Sequence, residues 1–208
     1  MKNIKVETHC HTHFSQDCLM DPKRLVEIAY KQGVDRLCVT DHNDVRGALE
    51  MAMSYPELVI PGVEIMTNKG ELLVLFVQHE IPAYLDPLDT IEICKKQGAV
   101  VVVPHPFDYS RNGSWTHQDL KVIAPYVDAI EVFNSRCMIA AMNETAYRFA
   151  RANEILSTVG SDAHIYSEVG RSTVLMETYE SPNGFLYNLA DAKFDTNTST
   201  PLVRLASR

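Results

Sequence analysis

Residues 98–106 read Gly-Ala-Val-Val-Val-Val-Pro-His-Pro. Residues 99–103 are an unbroken apolar run of strand length, rich in a β-branched residue that suits the extended chain. A run without polar alternation is a strand buried on both faces, the situation of strands in a parallel sheet. A helical segment precedes it, opened by Asp86-Pro87 as N-cap and first-turn proline and closed by Gly98. His105 follows the strand at once.

The same order of helix, buried strand and ionisable residue recurs outward from this stretch. Residues 4–8 read as a first strand. Asp21-Pro22 repeats the capping signal, Leu25, Ile28, Ala29 and Gln32 fall on one side, and Gly33 closes the helix. Residues 36–40 form the next strand, and Asn43 is placed to cap a helix through about residue 53. Residues 58–66 give one or two short strands broken at Pro61-Gly62, and 72–77 is another continuous apolar run. Residues 129–133 are a strand followed by a helix over about 138–153. Strands at 155–159 and 172–176, a short helix at about 184–190 and a polar tail complete the chain. Six to eight β-α units of this kind imply a parallel sheet, either open or closed as a barrel. There is no glycine-rich dinucleotide turn and no phosphate loop, which disfavours an open nucleotide-binding sheet.

With 208 residues, 46% of them hydrophobic, the chain suits one domain over residues 1–208 with a sizeable core. Its formal net charge of -8 repels a phosphate backbone, so no long nucleic acid is expected as a partner. The first residues lack the basic and apolar regions of a secretory signal, and no apolar stretch is long enough to cross a bilayer. The five cysteines are scattered and form no C-x-x-C pair, which fits free thiols in a reducing compartment and a cytoplasmic location.

Six of the eight histidines (His9, His11, His42, His79, His105, His164) stand at or just past strand ends. Asp41, Glu64 and Asp162 stand there too. In a parallel β/α architecture those ends share one face, where barrels keep their chemistry. H-x-H at 9 and 11 and D-x-H at 162 and 164 put both members of each pair on one side of an extended chain. Imidazole and carboxylate suit zinc, manganese or iron, and a carboxylate such as Glu64 can bridge two ions. Two or three such ions make a site for phosphate ester hydrolysis. Cys10, between two ligand candidates, points the other way into the core. His13 borders the site, and His117 reads as a surface or helix-start residue. The loop 109–116, with its Gly/Ser/Asn character, borders the site as well.

These segments together resemble the polymerase and histidinol phosphatase (PHP) domain family. The matching pieces are His9-Cys10-His11-Thr12 with Ser15 and Asp17, Thr40-Asp41-His42, Pro61-Gly62-Val63-Glu64, His105-Pro106 and Ser161-Asp162-Ala163-His164. They occur in the family's order over about residues 7–175. The resemblance implies a distorted seven-stranded (β/α) barrel and two or three divalent ions (Zn, Mn or Fe). It places His9, His11, Glu64 and Asp162 around a first metal, Glu64 and His105 around a second, and Asp17, His42 and His164 around a third. The second metal usually gains a histidine from the fourth strand. Here residues 72–77 hold none, and His79 comes slightly late. Asp41 is a ligand or orients a ligand histidine from behind. Arg136 and Arg171 are candidate phosphate clamps, whereas Arg111 and Lys69 read as solvated. The implied reaction is hydrolysis of a small phosphorylated metabolite or short nucleotide by a metal-bound hydroxide. Asp162, His105 and His164 are its catalytic candidates, and His105, His164 or a bound water is the source of the leaving-group proton. Two alternatives stand beside it: a 5'-3' exonuclease or oligonucleotide phosphodiesterase of the same fold, and a non-catalytic metal-bound interaction module. Oligomeric state is left open.

Overall fold

A computed structural model describes residues 3–200. Met1, Lys2 and the last part of the expected polar tail lie outside the described residues. The elements are β1 (Asn3–Cys10), α1 (Pro22–Lys31), β2 (Arg36–Val39), α2 (Arg46–Ser54), β3 (Val59–Met66), β4 (Glu71–Leu75), α3 (Pro87–Lys96), β5 (Val100–Val103), α4 (His117–Ile123), β6 (Ala129–Asn134), α5 (Ala140–Ala152), β7 (Leu156–Gly160), β8 (Ser172–Glu177), α6 (Pro182–Leu189) and β9 (Lys193–Thr196).

The capping signals act as the sequence suggests. Asp21 accepts from the Arg24 N–H and Asp86 from the Leu88 N–H, each with proline in the first turn. Gly33 and Gly98, at φ +69° and +72°, end α1 and α3 in the left-handed conformation that glycine adopts at least cost. Asn43 does not cap. α2 starts at Arg46, and the Asn43 side chain instead accepts from the Met66 N–H at 2.8 Å. β3 is not broken at Pro61-Gly62 but runs through it. α4, which has no long apolar period, is capped by Thr116 and opens at the exposed His117, the helix start read from the sequence, and β9 forms within the expected polar tail.

The sheet order is β7-β6-β5-β4-β3-β2-β1-β8-β9. It is mixed rather than parallel, because β4 runs antiparallel to both β3 and β5, and β8 and β9 are antiparallel additions. β1 divides its free edge. Its first half, Asn3 to Val6, pairs with β8. Its second half and the residue after it meet the end of β7 and the segment that follows, where Thr8 Oγ1 donates to Val159 O at 2.6 Å and the His11 N–H to Ala163 O at 3.0 Å. β1 to β7 thereby close as a distorted barrel, and β8 with β9 brings the strand count among the described residues to nine against the seven expected.

Val100 to Val103 are all buried, as a strand covered on both faces must be. One apolar cluster fills the barrel and reaches α3 to α6. A second lies beneath α1 and α2 and contains Cys10, Leu25, Leu37 and Met51. Among the described residues no helix is long and apolar enough to cross a membrane. All five cysteines are buried free thiols.

Candidate metal centre

At the end of β1 the extended chain sends His9 and His11 to one side, into a fully buried site, and Cys10 into the second apolar cluster. The two Nε2 atoms lie 3.1 Å apart, and Glu64 Oε2, from β3, is 3.2 and 3.3 Å from them. Asp162 Oδ1 completes the group at 3.7 and 3.4 Å. The outer nitrogens have partners of their own. His9 Nδ1 faces Glu131 Oε1 at 3.0 Å. His11 Nδ1 faces Ser15 Oγ at 3.0 Å, and that hydroxyl donates to Asp41 Oδ1 at 2.6 Å. With each Nδ1–H donated outward, both rings would turn their Nε2 lone pairs inward once an ion displaces the proton there.

Glu64 links this group to two others. Its Oε1 is 2.9 Å from His105 Nε2, and its Oε2 is 3.2 Å from His42 Nδ1. His11, His42 and His164 form a further donor group, with Asp17 Oδ2 at 3.6 Å from His42 Nε2 and 3.3 Å from His164 Nε2. Lone pairs and carboxylate oxygens crowded in this way repel each other unless a cation lies between them. Asp162 Oδ1 is buried without a hydrogen-bond partner, which costs free energy unless a charge satisfies it. The imidazole and carboxylate donors therefore fit divalent ions of the zinc, manganese or iron type.

Two site residues carry backbone strain. His105 has φ +26° and Asp162 φ +53°, conformations that cost a non-glycine residue on the order of 1–3 kcal/mol. The His105 N–H donates to Glu131 Oε2 at 2.8 Å, which helps hold it. Gly160, just before Asp162, has no room for a side chain, because a Cβ there would enter the Glu131 carboxylate and lie 2.6 Å from the His9 Cβ.

The electrostatics follow the clustering. Burial disfavours charge on Asp162 and Glu64, yet Arg111 and His9 hold Asp162, and His9 and His42 hold Glu64, well below the usual carboxylate range. Burial also disfavours His42⁺, but Glu64 and Asp17 outweigh it and raise its pKa to about 9. His164 goes the other way, to about 4, because burial and then the neighbouring His11 oppose its protonation.

The structure brings together His9, His11, Asp17, His42, Glu64, His105, Asp162 and His164 of the sequence-predicted set. Asp41 stands behind them, its oxygens occupied by the Thr12 N–H, the Thr12 hydroxyl and Ser15, so it positions rather than ligates. His79 is exposed and belongs to none of the donor groups. The reason is direction. β4 runs backwards, so its C-terminal end, after which His79 follows, faces away from the site. Arg136 lines a cavity of about 920 Å³ with Asp17, His42, Glu71, Arg111 and His164. Arg171 does not line it, and Arg171 Nη1 instead donates to Thr198 O at 2.8 Å.

Three residues to which the sequence assigns no site role shape the centre. Glu131, in β6, bonds His9, the His105 N–H and Asn134. The available signal was a carboxylate inside an apolar strand. Glu71 enters at the start of the reversed β4. Arg111, read as solvated, bonds Asp162 Oδ2, Asp108 Oδ2 and Asn134 Oδ1.

This fold and donor set agree with what the chain is similar to. The PHP domain model matches residues 7–152, and the PHP-associated model matches 141–193. The chain belongs to the PHP domain family. It is 35% identical over 204 residues to an uncharacterized protein of Methanocaldococcus jannaschii, covering 92% of this chain and 81% of that protein. It is 23% identical over 219 residues to a protein of Caldicellulosiruptor bescii named a probable phosphatase, covering 89% and 91% of the two. Among solved structures, a two-domain Bacteroides vulgatus protein described as containing a PHP-like metal-dependent phosphoesterase superposes with TM-score 0.74. That match has 21% identity and covers 94% of this chain and 65% of the other.

Proposed function

We propose that the chain is a metal-dependent hydrolase of phosphoric esters, acting on a small phosphorylated metabolite or a short nucleotide with two or three divalent ions. The convergence of the His9 and His11 Nε2 atoms on Glu64 and the unpartnered Asp162 Oδ1 carries this reading. His9, His11, Glu64 and Asp162 would hold one ion, Glu64 and His105 a second, and Asp17, His42 and His164 a third. Bound divalent ions supply Lewis-acid stabilisation of charge on phosphoryl oxygens and acidify water.

The chain's own groups do the rest. Arg111 fixes the Asp162 carboxylate through Oδ2 and leaves Oδ1 facing the centre. Arg136, beside His164 at the cavity wall, is the candidate clamp for the non-bridging phosphate oxygens. Leaving-group protonation is assigned to His105, His164 or a bound water within the donor cluster. The names of the phosphatase relative and the phosphoesterase neighbour support the reaction class. One domain over residues 1–208 belongs to the same proposal, supported by a sheet continuous across both family matches. A cytoplasmic setting is supported by the five free thiols.

The test is elemental analysis of purified protein joined to a panel of p-nitrophenyl phosphate, its bis ester and short oligonucleotides. Asp162→Ala, folded but metal-stripped, is expected to lose turnover. Wild-type turnover in that variant would overturn the reading. Preference for the bis ester and oligonucleotides would move it to the exonuclease alternative, and tight metal binding without hydrolysis to the interaction module.

A further inference from the structure

The fourth strand delivers a donor that no part of the metal assignment above uses. In the β3–β4 pairing Glu64 stands opposite Leu73 and Met66 opposite Glu71. Side chains alternate along a strand, so Leu73 and Glu71 share the face on which Glu64 lies. The position facing Glu64 is thus a fully buried leucine, and the next one toward the mouth is a carboxylate.

That carboxylate is set in place from several sides. The Glu71 N–H donates to Gly113 O at 3.0 Å, and Glu71 O accepts from Trp115 Nε1 at 2.9 Å. A Cβ at Gly113 would enter the Glu71 carboxylate, so the loop backbone packs directly on it. Glu71 is only 8% exposed and lines the cavity. Among the described residues nothing forms a hydrogen bond or ion pair with its carboxyl group. Its oxygen lies within 4.8 Å of donor atoms of His42 and Glu64. Its carboxyl group opens on the cavity beside the Glu64 carboxylate, and two carboxylates this close repel unless a cation meets them.

Building on the metal-centre reading, we propose that Glu71 is a metal ligand, holding a divalent cation on the mouth side of the centre together with Glu64 and His42, with the single imidazole lone pair of His42 given to this ion and the third position left to Asp17 and His164. It supplies from the start of β4 a donor where residues 72–77 offer no histidine. Two carboxylates and one imidazole form a harder donor set than the His9-His11 pair, so this position favours manganese or magnesium over zinc relative to its neighbour.

The experiment titrates metal-stripped full-length protein with Mn²⁺ by calorimetry and electron paramagnetic resonance. Wild type, Glu71→Gln, Gly113→Ala and His9→Ala are compared, with circular dichroism to confirm folding. Glu71→Gln is expected to weaken one class of Mn²⁺ sites at least tenfold and to remove the spectral coupling between neighbouring ions. His9→Ala is expected to weaken a different class. Gly113→Ala keeps the carboxylate but displaces it, and is expected to weaken the same class as Glu71→Gln. It decides the matter if the glutamine variant does not fold. Wild-type stoichiometry and affinity in Glu71→Gln and Gly113→Ala would overturn Glu71 as a ligand while leaving the centre intact. Failure of wild-type protein to bind Mn²⁺ or Zn²⁺ at millimolar concentration would overturn the metal centre itself, and this proposal with it.

Discussion

At the scale of single residues, the centre depends on groups that touch no ion in any assignment made here. Glu131 receives the His9 Nδ1–H and the His105 N–H, so one carboxylate orients two ligand histidines. Glu131→Gln keeps the shape but removes the charge that makes His9 a stronger donor. Metal affinity or activity is expected to fall about 10–100-fold with the fold retained, as calorimetry and turnover would show. An unchanged affinity would reduce Glu131 to a packing residue. The ligand histidines themselves were legible because paired spacing and strand-end position together narrow the possibilities. Glu131 was less so, since it lies within β6 rather than past its end. Arg111 was not legible at all. Its role depends on the path of a loop, and sequence does not show that this loop folds back onto Asp162.

At the scale of elements, the capping signals carried the most information. Asp86 accepts from the Leu88 N–H at 2.9 Å at the start of α3. Asp86→Ala is expected to cost about 1 kcal/mol. For a chain of this size that lowers Tm by about 2–4 °C, with turnover unchanged because no residue of α3 belongs to a donor group or lines the cavity. A calorimetric scan beside an activity assay checks both halves. The direction of β4 departs from the parallel expectation, and the sequence holds the clue. Only Thr67 to Gly70 separate β3 from β4, and a parallel crossover needs about a dozen residues. Those four residues make a tight turn in which Thr67 N–H donates to Gly70 O at 3.0 Å. The apolar run in β4 itself has no polar alternation, so it could not reveal which way it points. Reading the turn would have excluded His79 and drawn attention to Glu71.

At the scale of the whole molecule, barrel class and site face were legible because five separated segments agreed. β9 and the mixed sheet were not, since β9 is short, exposed and polar. Closure of the barrel turns on Glu7, which is fully buried. It accepts from the Ser161 N–H and the Ser161 hydroxyl after β7, and from the Gly170 N–H before β8. Burial raises its pKa from 4.5 to about 7, against the lowering effect of these donors. Between those values the folded chain keeps a proton that the unfolded chain has released. The unfolded state binds fewer protons there, so the Glu7 contribution to stability falls as pH rises from about 4.5 to about 7 and is level on either side. The loss is on the order of 3 kcal/mol. His164, with its pKa lowered to about 4, has the opposite slope between about 4 and 6.5, and His9 and His42, whose pKa values are raised, add a decline from about 6.5 upward, so the wild-type curve alone mixes these groups. Comparison of metal-free wild type with Glu7→Gln isolates the glutamate, because the variant keeps His164 and loses only the titrating acid. The stability of wild type relative to the variant is expected to decline across that window in denaturant titrations. Parallel curves from pH 4.5 to 7 would mean that Glu7 folds with its proton already released and that the barrel seam is closed by a carboxylate.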